Sequence, residues 1–152
     1  MRNNLLRSLV TTKAGWATLA LRIPAGVVFV AHGSQKLFGL FGGYGLQGTG
    51  QWMDSIGLSP GLIMALLAGS AEFFGGLALL LGLLVRPAAS VLAFTMLVAI
   101  LAVHAGNGLF ISNNGFEYAL SLLAITAALA TVGGGRLSLD RVLAGRGGTA
   151  GA

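Results

Sequence analysis

The sequence predicts an all-α integral membrane protein, a four-helix bundle with both termini cytoplasmic and a glycine-rich outer loop between its first two helices. Three observations predict it. The 152 residues are 55% hydrophobic and 9% charged, with a mean hydropathy of +0.86, whereas an ordinary soluble domain carries about 25% charge. Four stretches are apolar over the roughly 17–25 residues that a bilayer crossing needs. Basic residues stand at the ends of those stretches, which is a membrane pattern. The net charge of +5 and pI of 10.9 therefore do not point to nucleic acid, which requires a basic patch with base-reading or stacking residues. Disorder is excluded by the apolar content. The absence of cysteine removes disulfides, thiolate metal sites and cysteine nucleophiles. Any redox role must use a bound cofactor or a partner's thiols.

The first element is a basic tail, residues 1–15, carrying Arg2, Arg7 and Lys13. The first crossing follows from Trp16 to Leu40. Its apolar run contains Arg22, and the small residue Ala31 has bulky Phe29 two positions before it, so it is expected to remain as a helix and not to be cleaved as a signal peptide. Arg22 is expected to snorkel to the cytoplasmic headgroups. An outer loop, Phe41 to Gly61, leads to the second crossing, Leu62 to Val85. A sharp turn at Arg86-Pro87 starts the third, Pro87 to Leu109, since proline is tolerated in a first helical turn. The fourth runs from Phe116 to Val132, completing a membrane domain over residues 16–140. Residues 141–152 read as a cytoplasmic tail, disordered where it is small and polar from Gly145 onward. Arg86, Arg136, Arg141 and Arg146 share one side with the basic tail, and the other side has only Lys36, so both termini face the cytoplasm. Trp16 falls at that interface, and Tyr44, Trp52 and Tyr118 lie near the outer one.

Nine glycines lie between Gly33 and Gly61, each costing a helix about 1 kcal/mol relative to alanine. The chain should leave the helix there. Gly43-Tyr-Gly45-Leu-Gln-Gly48 matches GxGxxG but lacks the βαβ context of a dinucleotide site, so no nucleotide is expected. Gln51 to Pro60 mixes apolar and polar residues, as in a short interfacial helix or a partial lid.

The remaining ionisable residues gather in the outer half of the membrane. His32 and Lys36 are four residues apart on one helical face. His104 and Asn107 lie near the outer end of the third crossing, and Glu117 opens the fourth, where it also favours the helix dipole. Glu72 is ten residues into the second crossing, about 15 Å along it and near the midplane. A charge there costs at least about 2.5–3.5 kcal/mol and should face the interior with a partner. Its neighbours Ala68, Gly69, Gly75 and Gly76 form a face built for close helix approach. Glu72 with Lys36 or a histidine can handle protons or anchor a ligand; a protonated Glu72 bonded across helices as packing glue is the structural alternative. Either histidine can exchange protons or hydrogen-bond a quinone carbonyl, or merely be solvated at the interface. No metal is expected, because the two histidines and two carboxylates lack HxxxH or ExxH spacing.

His32 to Phe38 and His104 to Phe110 share the form HxxxxLF, each followed by a helix bearing a glutamate and ending near an arginine. That pattern suggests a duplicated helix pair. Ala31-His-Gly-Ser-Gln-Lys-Leu-Phe-Gly39, the block from Glu72-Phe-Phe-Gly-Gly to Arg-Pro87, His104-Ala-Gly-Asn-Gly-Leu-Phe110, Glu117-Tyr-Ala-Leu and Gly135-Arg-Leu-Ser-Leu-Asp140 together resemble the DoxX family over about Leu21 to Asp140. The resemblance implies a small four-helix inner-membrane protein associated with redox functions, in a family with diverse activities. The expected function is a redox-associated subunit of the cytoplasmic membrane that binds quinone in the outer half of the bundle. His32 and His104 would hydrogen-bond or protonate the quinone oxygens, Lys36 would stabilise negative charge, and Glu72 would relay protons. Trp52, Asn107 and Glu117 complete the expected ligand-contacting set, with Trp52 on the covering loop. The expected partners are the lipid bilayer, a soluble or membrane oxidoreductase that delivers electrons, and further copies of the chain, with no nucleic acid. Two alternatives stand beside this reading: a non-catalytic anchor for a soluble oxidoreductase, acting through Arg86, Arg136, Asp140 and Arg141, and a small-molecule or proton carrier.

Overall fold

The computed structural model describes residues 10–12 and 14–146. Arg2, Arg7 and Lys13 of the basic tail, and residues 147–152, lie outside the described residues. The described chain is helical, without a strand. Its helices are α1 (Ala17–Phe38), α2 (Gly45–Ser55), α3 (Gly61–Leu81), α4 (Val85–Ala99), α5 (Glu117–Val132) and α6 (Leu139–Arg146). A π-helical turn, Ile100–His104, and a 3-10 turn, Ala105–Asn107, prolong α4. Three helical stretches are long and apolar enough to cross a membrane: Ala17–Phe38, Gly61–Leu81 and Val85–Asn107. The 16 residues of α5 are equally apolar in character but span only about 24 Å.

Each helix stops for a local reason. α1 ends at Gly39 and α3 at Gly82, both left-handed (φ 70° and 66°) with amides turned back onto the last helical carbonyls, the usual glycine cap. α2 occupies the middle of the expected outer loop. Its residue Asp54 accepts from the Ser59 hydroxyl and the Gly61 amide, each at 2.8 Å, and so caps the start of α3. The third helix begins two residues before the expected Pro87, because Asp140 accepts from the amides of Leu84 (2.6 Å) and Val85 (2.9 Å) and supplies the N-terminal cap there. That cap holds Leu84 at φ 48°, a conformation that normally costs a non-glycine residue about 1–3 kcal/mol. Burial pushes the Asp140 carboxyl above its ordinary pKa; the Val85 and Leu84 amides and the Arg22 and Arg86 guanidiniums oppose that rise.

Glycines decide which helices touch. A Cβ on Gly76 would lie 2.8 Å from the Val30 nitrogen and 2.9 Å from the Gly26 carbonyl, and one on Gly33 would collide with the Phe73 backbone. α1 and α3 therefore meet backbone to backbone, as small residues allow in membrane helices. α4 joins them by placing Leu92 against Gly75, and α5 closes the core with Leu122 and Leu129 against Phe29, Leu79, Val85 and Ala89. Val27, Leu67, Phe74, Phe94 and Leu101 point outward and are exposed.

Two expectations are corrected at the end of the molecule that holds the Gly82–Leu84 turn. Arg22 does not snorkel: it is 2% exposed, and its Nη1 donates to the Leu79 and Leu80 carbonyls at 2.9 Å while Nη2 donates to the Leu137 carbonyl. The last carbonyls of a helix lack internal partners, and a planar guanidinium satisfies several at once. The chain after Asp140, expected as tail, continues as helix α6 through Arg146. Thr12 and Thr18 bind that end too, through the Val132 and Gly134 carbonyls, so both described ends of the chain meet there.

Candidate functional site

At the opposite end the helices part around a cavity of about 320 Å³. Phe29, His32 and Lys36 of α1, Glu72 of α3, Met96 and His104 on α4 and its extension, and Tyr118 of α5 line it, with Trp52 from α2 at its edge. The lining is mainly apolar with a few convergent polar groups, the usual make-up of a small-molecule site.

An ion pair dominates its chemistry. Lys36 Nζ donates to Glu72 Oε2 at 2.6 Å, with the two side chains 23% and 5% exposed. One helical turn before Lys36, the half-buried His32 ring lies 6.0 Å from the ring of Tyr118. His104 enters from the π-helical turn, a geometry found mostly as single turns at functional sites. Its Nδ1 lies 2.8 Å from the Asn114 carbonyl. A carbonyl only accepts, so Nδ1 carries hydrogen and a neutral His104 presents Nε2 as an acceptor. The site therefore holds one cation, one carboxylate, one imidazole acceptor, a second imidazole hydrogen-bonded to the Gln35 side chain and a phenol, all within an apolar wall.

The structure brings together five of the seven residues singled out in the sequence: His32, Lys36, Trp52, Glu72 and His104. Asn107 and Glu117 are not among the lining residues. The Asn107 amide donates to the Val103 and Asn114 carbonyls, and Glu117 Oε1 accepts from the Ile111 amide at 2.7 Å. Both hold the connection between α4 and α5. Tyr118 and Asn114 were not predicted as site residues. Tyr118 looks from the sequence like an interfacial aromatic, and Asn114 contributes through its backbone, which leaves no side-chain signal. His32 and His104 both line this one cavity. Among the described residues, no group of three or more histidine, aspartate or glutamate side chains is arranged to hold a metal ion.

Long apolar helices around a mainly apolar cavity with a few convergent polar groups define a multi-pass helical membrane protein. Residues 17–105 match the DoxX family model, and the chain belongs to the DoxX family. It is 35% identical over 123 residues to a Bacillus subtilis (strain 168) protein described as "Putative oxidoreductase CatD", covering 81% of this chain and 84% of that one. It is 36% identical over 131 residues to "Inner membrane protein YqjF" of Escherichia coli (strain K12), covering 82% of this chain and 90% of that one. No solved structure matches the chain. With its apolar helices, these relationships make it a multi-pass protein of the inner membrane.

Proposed function

We propose that the chain is a four-crossing, redox-associated membrane subunit that binds a quinone headgroup in the cavity walled by His32, Lys36, Glu72 and His104. The carrying observation is the Lys36–Glu72 pair, exposed to a cavity of about 320 Å³, at the lower end of the volumes that hold small ligands. An intramembrane ion pair marks function by default, because charge there is expensive. A quinone supplies two-electron, two-proton carrier chemistry when bound. His32, whose ring also bonds the Gln35 side chain, can donate to one ring oxygen when the nitrogen facing the cavity carries hydrogen. Lys36 keeps two further N–H groups beyond the one given to Glu72 and can stabilise negative charge on an oxygen. Nε2 of neutral His104 can accept a hydroxyl proton, and Glu72 can take a proton from the Lys36 side. The name of the Bacillus relative fits a redox role; electrons must come from a partner oxidoreductase or a small reductant, since the chain holds no thiol.

In this reading α5 is the fourth crossing, its short length met by local thinning of the bilayer. The end holding Arg86, Arg136 and Arg141 is cytoplasmic by the positive-inside rule, which puts the cavity in the outer half. Purified full-length protein should release quinone in roughly stoichiometric amount on solvent extraction, and His32→Ala or Glu72→Gln should lower that yield at unchanged expression. Quinone-free protein together with unchanged behaviour of both variants would dismiss the proposal. A second reading, anchorage of a soluble oxidoreductase, is favoured by α6, whose Arg141, Val142 and Leu143 stand exposed beside Arg136 and Leu137. An anchor would lose its partner in co-purification on Arg141→Glu while tolerating Glu72→Gln.

A further inference from the structure

A second cavity, of about 430 Å³, lies between the end of α1 and helix α2. Gln35, Gly43, Tyr44 and Thr49 line it, and it shares two residues, Lys36 and Trp52, with the cavity that contains Glu72. Its character is different. Tyr44 at its rim is 82% exposed, the Gln35 amide donates to the Phe41 carbonyl, and glycines replace the aliphatic side chains that line the inner chamber. The lining is still mainly apolar, but Gln35, Lys36, Tyr44 and Thr49 give a water several polar partners in a hollow with ample room for it. Lys36 has one side in each compartment: its ammonium binds Glu72 while its side chain keeps the 23% exposure that Glu72 lacks.

The other direction from Glu72 is closed. Between it and the Arg22–Asp140 end lie Phe29, Leu79, Leu92, Leu122 and Leu129, all buried. The buried polar side chain of α5 in that stretch is Thr126, and its hydroxyl is spent on the Leu122 and Leu123 carbonyls of its own helix. Beyond, Arg22 is tied to the Leu79, Leu80 and Leu137 carbonyls. No described side chain in that core offers a proton a stepping stone. The titratable groups that do line the Glu72 chamber are Lys36 and His32 from α1, His104 beyond α4 and Tyr118 from α5, and all belong to its outer part.

We infer that the hollow bounded by Gln35, Tyr44 and Thr49 is an aqueous vestibule, and that Lys36 and Trp52 form the partition through which water and protons reach Glu72 from that face of the membrane alone. Lys36 is the polar half of the partition and Trp52 the steric half. The inference rests on the proposed orientation for the words outer and inner, but not on quinone: any ligand protonated in the Glu72 chamber would draw its protons through the vestibule.

The chain's lack of cysteine makes the test direct. Full-length protein carrying one introduced cysteine, either Tyr44→Cys at the exposed rim of the vestibule or Ala68→Cys in the Glu72 chamber, is reconstituted in vesicles of defined orientation. A membrane-impermeant cationic methanethiosulfonate is added to one face at a time. Tyr44→Cys should react from the face bearing α2 and not from the face bearing the termini. Ala68→Cys should react from that same face at least about tenfold more slowly, and Trp52→Ala should remove most of the difference. Gln35→Cys and Ala99→Cys repeat the two measurements on opposite walls should either first variant fail to fold. Reaction of Ala68→Cys from the terminal face, lack of reaction from either face, or a rate indifferent to Trp52→Ala would overturn the inference. Labelling needs no bound quinone, so quinone-free protein with one-sided labelling would dismiss the proposed ligand and leave the vestibule standing.

Discussion

Replacing Lys36 by methionine deletes the ammonium that faces Glu72 while keeping a flexible apolar stem of similar length. At the observed separation of 2.6 Å, an effective dielectric constant near 20 gives the pair a gross attraction of about 6 kcal/mol. Desolvation of both charges offsets much of that, yet removing one partner of a buried pair typically costs about 3–5 kcal/mol because the other is left uncompensated. Glu72 is the one that cannot escape, with its side chain 5% exposed against 23% for Lys36. The costs should therefore be unequal. Lys36→Met should lose about 3 kcal/mol, and Glu72→Gln, which leaves a lysine able to turn toward the vestibule, about 1–2 kcal/mol. The double variant should recover about 2 kcal/mol of the summed loss, as contacting charges do in such cycles. At about 2–4 °C per kcal/mol for a chain of this size, Lys36→Met should lower the apparent melting temperature by roughly 6–12 °C. Heating detergent-purified full-length protein and following the loss of monodisperse material measures all four states under one condition. Additive losses, or a larger loss in Glu72→Gln than in Lys36→Met, would refute the claim that a compensated buried charge organises this site.

The helix contacts predict a sharp contrast among glycines: Gly33→Ala, whose Cβ would strike the Phe73 backbone, should destabilise by about 1–3 kcal/mol, whereas Gly106→Ala, with nothing within 4 Å, should be near neutral by the same melting assay. Arg22→Lys should cost about 3 kcal/mol, because one ammonium cannot span the Leu79, Leu80 and Leu137 carbonyls that the guanidinium serves and hydrogen bonds to charged groups contribute about 1.5–3 kcal/mol each; wild-type stability in this variant would show the bonds to be incidental. Asn107→Ala and Glu117→Gln should leave extracted quinone unchanged, while Glu117→Gln costs about 1 kcal/mol through the weaker bond to the Ile111 amide. A quinone loss in either would return these residues to the binding site.

The legible part of this protein is what depends on one helix at a time. Glu72 faces inward because Ala68, Gly69, Gly75 and Gly76 surround it on its own helix, and His32 and Lys36 share a face because four residues make about one turn. Asn107 and Glu117 misled for the same reason: depth along a helix was readable, but their amide and carboxylate are claimed by the turn between α4 and α5, whose path has no periodicity. Arg22 illustrates the limit from the other side. Its depth suggested headgroups, and only the arrival of Leu79, Leu80 and Leu137 beside it converts a snorkelling cation into a cap.

Composition, periodicity and the placement of basic residues by themselves determined that this is a helical membrane protein with a few ionisable side chains withheld from lipid. Tertiary structure alone decided that Glu72 takes Lys36 and not a histidine as its partner, that Asn114 sets the His104 tautomer, and that two hollows meet at Lys36 and Trp52. The physical reason is that hydrophobic patterning specifies which face of each helix turns inward, whereas the choice of neighbour across the interior depends on backbone approach at Gly26, Gly33 and Gly76 and on hydrogen bonds between residues distant in sequence.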